Sequence, residues 1–317
     1  MRETRVKEAG MIDRRRMMAG LGAGLLAGCA GGEAPDFAAA PEEEPRGGIG
    51  GTGIVGVLTG FGSLLVNGLA VGTGAETAAE NAFGPVPLSS LTVGQALTIE
   101  AERRGAVLFA RRIVVSDPLV GVLEAGERGL FVNGVPVIGE TAPGLAGMRV
   151  SVSGLWRGGA VVASRIAPAA PGPDVIAGEI GSGAGGGVTV GGAAAALLIR
   201  LAPPPEGTFV TALGRFEDGR LLIRALDTGR FTGAAGPLER LSVEGYLEPA
   251  PAAPGFAVSG LGHSFDPAAR LAGFTGRTLF EGGYDGDFRV ETGLPLPEEP
   301  GARAAALARP GGRLGAR

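Results

Sequence analysis

The chain of 317 residues has one cysteine, one histidine and one tryptophan. A lone cysteine excludes an intrachain disulfide, and with a lone histidine it excludes a Cys/His zinc centre. No metal and no cofactor is expected, and stability has to come from packing and sheet hydrogen bonds. Aromatic residues make up only 5%. Any core is therefore built from Val, Leu and Ile, and stacking platforms for bases or sugars are scarce. Charge of either sign is also in short supply: 28 Lys and Arg against 32 Asp and Glu leave a formal net charge of -4. That balance gives no basic footprint for nucleic acid, and none is expected as a partner. What the chain has in abundance is glycine (60) and proline (23), alongside 45% hydrophobic residues. Short apolar runs broken by bend residues read as small β units rather than as a disordered chain.

The amino terminus reads as an address. Arg14-Arg15-Arg16 precedes a short apolar run that ends at Leu26-Ala27-Gly28-Cys29. The run is too short to cross a bilayer of about 30 Å as a helix and suits a signal peptide over 1–28. Leu26, Ala27 and Gly28 before Cys29 resemble a bacterial lipobox, which implies cleavage there and acylation of Cys29. Arg14 and Arg15 also fit a twin-arginine signal, so export by the general secretory or the twin-arginine route stays open. The expected location is the cell envelope, on the periplasmic side of the inner or outer membrane. Residues 29–52 then read as a flexible acidic tether.

The organising stretch is Gly56 to Gly68, a strand, a glycine bend at Gly60-Phe61-Gly62-Ser63, a second strand and an Asn67-Gly68 turn. Asn-Gly is the chemistry a two-residue hairpin with successive positive φ requires. The pattern returns at Phe131 to Val137 around Asn133-Gly134, more loosely at Val188 to Gly192, and at Phe256 to Gly260. Alternating strands follow the first three copies: Gly94 to Ala101, Gly147 to Gly154 and Gly207 to Gly214. In the first, Leu97, Ile99 and Ala101 are expected inward and Thr98, Glu100 and Glu102 outward. Repetition near sixty residues marks an internal repeat. It divides the chain into β units at 53–118, 119–174 and 175–232, a degenerate unit at 233–297, and a disordered tail at 298–317. Ala75 to Phe83 is expected to form a short helix.

The Gly-Phe-Gly-Ser bend, the Val-Asn-Gly turn at Val66 to Gly68 and the strand over Leu91 to Ile99 resemble an uncharacterised family of bacterial lipoprotein domains. The second copy keeps Val132-Asn133-Gly134 and Leu145 to Val152 but lacks Gly-Phe-Gly-Ser. The resemblance implies OB-like barrels on exported proteins and no established activity. The expected fold is all-β, tandem five-stranded OB-like barrels, with SH3-like barrels or open sandwiches as alternatives.

Candidate chemistry is sparse. His263, between Gly262 and Ser264, lacks a nucleophile elbow, so a hydrolase is the least favoured reading. Asp285 and Asp287 near Glu281 read as a turn rather than a calcium loop. The glycines of 181–187 lack the lysine and helix of a P-loop. Arg103, Arg104, Arg111, Arg112 and Arg165, with Arg149 and Arg157, sit on matching strands and could meet an anionic polymer. Trp156 reads as a packing residue at a unit boundary. The leading expectation is a non-enzymatic, lipid-anchored binding or spacer protein. Its partners would be the membrane and an envelope protein or glycan; binding of an anionic polymer is the alternative.

Overall fold

The computed structural model describes residues 50–198, 202–249, 256–262, 264–265 and 276–308. Arg14, Arg15, Leu26, Ala27, Gly28, Cys29 and His263 lie outside the described residues.

The first unit contains β1 (Gly51–Gly60), β2 (Leu64–Val66), β3 (Leu69–Gly72), β4 (Ala78–Asn81), β5 (Gly84–Pro85), β6 (Ala96–Arg104) and β7 (Val107–Val115). β1 pairs antiparallel with β2 and with β6, β2 with β3, and β6 with β7. A parallel pairing of β3 with β7 closes the ring. The second unit repeats the cycle with β8 (Leu119–Gly126), β9 (Gly129–Val132), β10 (Val135–Ile138), β11 (Arg149–Arg157) and β12 (Ala160–Pro168). The third does so with β13 (Asp174–Ser182), β14 (Val188–Val190), β15 (Ala193–Leu197), β16 (Phe209–Glu217) and β17 (Arg220–Thr228). These last two barrels stand in tandem within one 10-stranded sheet. In each ring the third and fifth strands run parallel, as an OB-like barrel requires, so these units are not open sandwiches.

The fourth unit comprises β18 (Leu238–Pro249), β19 (Phe256–Val258), β20 (Ser264–Phe265), β21 (Arg277–Tyr284) and β22 (Phe288–Pro295). It keeps four of the five pairings. The closing parallel pair, β20 with β22, is missing among the described residues. In the second, third and fourth units the fourth strand of the cycle slips register at a glycine: Gly154, Gly214 and Gly282. A Cβ there would lie 2.3, 2.0 and 1.9 Å from a carbonyl oxygen of the neighbouring strand. Only glycine fits such a bulge, which lets a short strand coil round a narrow ring.

Three sequence expectations are corrected. Ala75 to Phe83 is not a helix: it holds β4, which adds to β7 in parallel, and the turn into β5. The tail from 298 is ordered over its first part, where α1 (Pro300–Leu307) is capped by Glu299 and opened by Pro300. Its Arg303 is buried beside Glu244 and Arg277. Glu100 and Thr98 do not face solvent; both are buried, because the segment leading to β18 covers that side of β6.

The units are not beads on a string. β1 pairs in parallel with β18, so the first unit is clasped by the fourth. β8 pairs antiparallel with β13, so the second is clasped by the third. Residues of the second and third barrels form one continuous hydrophobic cluster. Val55 of β1 belongs to the cluster of the fourth unit.

The hairpin asparagines set both seams. Asn67 and Asn133 take left-handed φ of 57° and 52° and are buried. The Asn67 amide donates back to the Val55 carbonyl of its own first strand, 3.1 Å, and lies 3.0 Å from the Ser242 carbonyl of β18. Asn133 does the same with Val120, 2.9 Å, and with Val175 of β13, 3.0 Å. Room for each amide comes from a first-strand glycine. A Cβ on Gly56 or Gly121 would sit 2.0 or 2.1 Å from the asparagine oxygen.

The third unit has Gly191 at the corresponding turn. Here Trp156 of β11 supplies the missing donor: its indole N–H reaches the Ala177 carbonyl at 2.8 Å. Ala177 immediately precedes Gly178, the counterpart of Gly56 and Gly121, as Val55 and Val120 precede theirs. The ring also lies against Gly260, the turn glycine of the fourth unit, where a Cβ would come within 2.2 Å of the indole. Trp156 thus packs where the second, third and fourth units meet.

Asn133→Asp keeps the shape of the side chain but removes the donor from two buried carbonyls. We expect a loss of about 2–3 kcal/mol in denaturant unfolding. An unchanged midpoint would refute the clamp.

Candidate functional site

The seams leave a cavity of about 550 Å³ walled by the first and third barrels. Strands β6 and β7 supply Thr98, Arg112 and Val115; β16 and β17 supply Phe209, Thr211, Leu226 and Asp227. Ser116 and Asp117, between β7 and β8, Arg230 and Thr232, after β17, and Glu80 and Asn81 of β4 add to the polar lining. Thr98, Thr211 and Thr228 on the strands, with Ser116 and Thr232 outside them, give the wall its hydroxyl groups; threonine suits both a strand and a hydrated surface.

One arginine of the wall is fully engaged. Arg112 is paired with Glu80 at 2.6 Å and with Glu100 at 3.1 Å. Glu100 is buried and accepts further bonds from the Thr232 amide at 2.8 Å, the Thr232 hydroxyl at 2.9 Å and the Ala234 amide at 2.8 Å. A buried carboxylate satisfied in this way ties the connecting segment to the first barrel.

Arg230 is different. Its guanidinium lies 3.7 Å above the Phe209 ring, donates to the Gly260 carbonyl, and meets the Thr98 hydroxyl at 3.4 Å. Its Nε is buried and has no hydrogen-bond acceptor among the described residues. Burial draws its pKa down to about 10, and the field of Glu179 only partly restores it. Asp117, also in the lining, accepts from the Ser153 hydroxyl. Desolvation raises its pKa, against the pull of Ser153 and of Arg165. A second groove of about 820 Å³ shares Asn81, Ala82, Val115 and Asp117 with the cavity. It continues over Phe83, Val86, Pro87 and the proline-bearing joint from Ala169 to Pro173.

The arginines singled out in the sequence are dispersed by the fold. Arg104 is paired with Glu76 at 2.8 Å and Glu102 at 2.5 Å and stacks on Phe109. Arg111 lies 3.7 Å from Glu102. Arg103 is exposed on the tip of β6. Arg165 lies at the seam with the first unit, where a Cβ on Gly94 would touch it. Arg149 is held by Asp174 and the Ala170 carbonyl, and Arg157 stands 5.3 Å from the Tyr246 ring. Glutamates alternating on the same strands take up much of this charge, a pairing that the sequence reading of the arginines alone overlooked. Asp285 is held by Arg289 in the β21–β22 turn. Among the described residues no group of three or more potential metal-ligating side chains occurs. Of the glycines of 181–187, Gly181 pairs within β13 and the others form the β13–β14 connection, with Gly185 at φ 73°.

The residue that sequence reasoning missed is Arg230. It stands alone between two glycine-containing turns, and only the closing of the seams gives it its surroundings. No known family model matches the chain, and neither a curated protein nor a solved structure does.

Asp117 carries a pH signature. Its folded pKa is raised, so the native state binds the proton more tightly than the unfolded chain and stability falls as pH rises through that value. Asp117→Asn should therefore raise the melting temperature at pH 7, with the gain shrinking toward pH 4. A gain that is constant or larger in acid would contradict the desolvation.

Proposed function

We propose that the chain is a lipid-anchored cell-envelope protein that acts by binding. A signal at 1–28 directs export, and acylation of Cys29 holds the protein at a membrane through buried methylenes, at about 0.8 kcal/mol each. The barrels carry the binding surface.

The observation that favours binding over spacing is the clasp of the first unit by the fourth, together with the walled cavity between the first and third barrels. A spacer needs reach, which separate barrels in series would supply. Joining β1 to β18 gives up that reach, while the hydroxyl-lined hollow offers a place for a ligand. The arginine strip, largely neutralised by Glu76, Glu80, Glu100 and Glu102, makes a poorer track for an anionic polymer.

The anchor is tested by Cys29→Ser in the full chain. The variant should move from the membrane pellet to the soluble fraction of lysed cells. Membrane association equal to that of the wild type would end the proposal that the lipid on Cys29 holds it.

A further inference from the structure

The cavity between the first and third barrels has an oddity that the fold alone does not account for. A buried cation is ordinarily paired, since isolated burial of charge is costly. The buried arginines of the fourth unit obey this: Arg277 meets Glu244 at 2.7 Å, and Arg303 lies 3.4 Å from the same carboxylate. Arg230 has a ring face, a carbonyl and a hydroxyl, but no carboxylate at ion-pair distance among the described residues. Its Nε is buried without an acceptor among the described residues, but so are the Arg277 Nη2 and the Arg303 Nε, so what sets Arg230 apart is the missing counter-charge. Glu179, the acid whose field it feels, is engaged with the Gly262 amide at 2.8 Å.

The rest of the lining limits what could complete it. Glu80, Asp117 and Asp227 also face the cavity. Glu80 is spent on Arg112, but Asp117 and Asp227 have no arginine or lysine at ion-pair distance among the described residues. A dianion or polyanion brought to Arg230 would meet these acids. A single carboxylate carried with a positive charge would be attracted by both kinds of group, and the threonine and serine hydroxyls of the lining would serve a polar body.

We propose that this cavity binds a small molecule carrying one carboxylate and one ammonium group, the carboxylate on Arg230 and the ammonium toward Asp117. An oxyanion against the cavity side of its guanidinium would supply the missing counter-charge of Arg230. Asp117 and Asp227 would set selectivity, repelling phosphates and simple carboxylates by like charge and attracting the ammonium of the preferred ligand. This proposal rests on the reading of the protein as a binding module and is independent of how the chain is anchored.

Trp156, the chain's single tryptophan, reports on the site. It lines, with Arg230, a small hollow of about 30 Å³ at the junction of the units. The full-length protein in nonionic detergent would be titrated with glycine, β-alanine and γ-aminobutyrate, which differ in charge separation. Acetate, methylammonium, inorganic phosphate and glucose serve as comparisons, with tryptophan fluorescence and the melting temperature as readouts. At least one amino acid should saturate, and bind more tightly than acetate or methylammonium. Arg230→Gln should weaken it by about tenfold or more. Because that variant removes a group that touches three units, Asp117→Asn is the second: it should fold and bring the amino acid to the affinity of acetate. The proposal is overturned if no amino acid saturates, or if phosphate or glucose binds as well. It is equally overturned if a folded Arg230→Gln binds like the wild type, or if Asp117→Asn keeps the preference for the amino acid. The Cys29 fractionation reads none of these, so either result can fail without the other.

Discussion

An amide N–H reaching back over a glycine, from a hairpin turn to the carbonyl of a neighbouring unit's first strand, is the contact on which the arrangement depends. It demands three residues at once: an asparagine that tolerates left-handed φ, a glycine opposite it with no Cβ, and a partner strand that brings a carbonyl into range. The first two are local, and the third is another unit. A turn that would serve any hairpin therefore also specifies which strands lie side by side. The same clamp works on a parallel seam, β1 with β18, and on an antiparallel one, β8 with β13. The amide reads carbonyl position, not strand direction. At the third unit the asparagine is gone and the Trp156 indole reaches in from the neighbouring barrel to do its work.

Charge is used in the same places. Glu100 at one seam and Glu244 at another are buried and fully bonded. Glu244 accepts from the Val57 amide of the first barrel and from Arg277 of its own unit. Such groups add little net stability over apolar packing, but they penalise every misregistered alternative in which they would be left bare. Few aromatics and no disulfide leave each barrel with a modest aliphatic core. Docking against a neighbour adds the buried area that a unit of this size lacks alone. The first and third barrels are not joined to each other by either seam, and the gap between them is the cavity.

Much of this was legible in the sequence. Asn67-Gly68 and Asn133-Gly134 identify the hairpins, the period near sixty residues identifies the repeat, and strict alternation in Gln95 to Ala101 identifies β6. The glycine bend at Gly60 to Ser63 lies where β1 gives way to β2. Pairing between units was not legible. Alternation says which residues share a face, but not whether water or another barrel covers the outer one, which is why Glu100 was assigned to solvent. Ala75 to Phe83 carries helix formers but too few apolar positions to hold a helix against the barrel. The free edge of β7 captured it as a strand instead. The carboxy-terminal segment resembles a tail in composition, yet Glu299, Pro300 and a buried arginine give it a cap, a start and a socket. The same limit hid Arg230, whose environment comes from three units far apart in the chain.

The parallel seam also imposes an order of events. Val57 and Glu244, bonded across it, lie 187 residues apart. During synthesis, or during passage through a narrow translocation channel amino end first, β1 emerges early and stays uncovered on one side until β18 follows. Contacts of such long sequence separation form late, and a bare strand edge meanwhile invites pairing with other molecules. A chain crossing the membrane unfolded would need a holding chaperone over that interval, whereas one exported already folded would never show the edge outside.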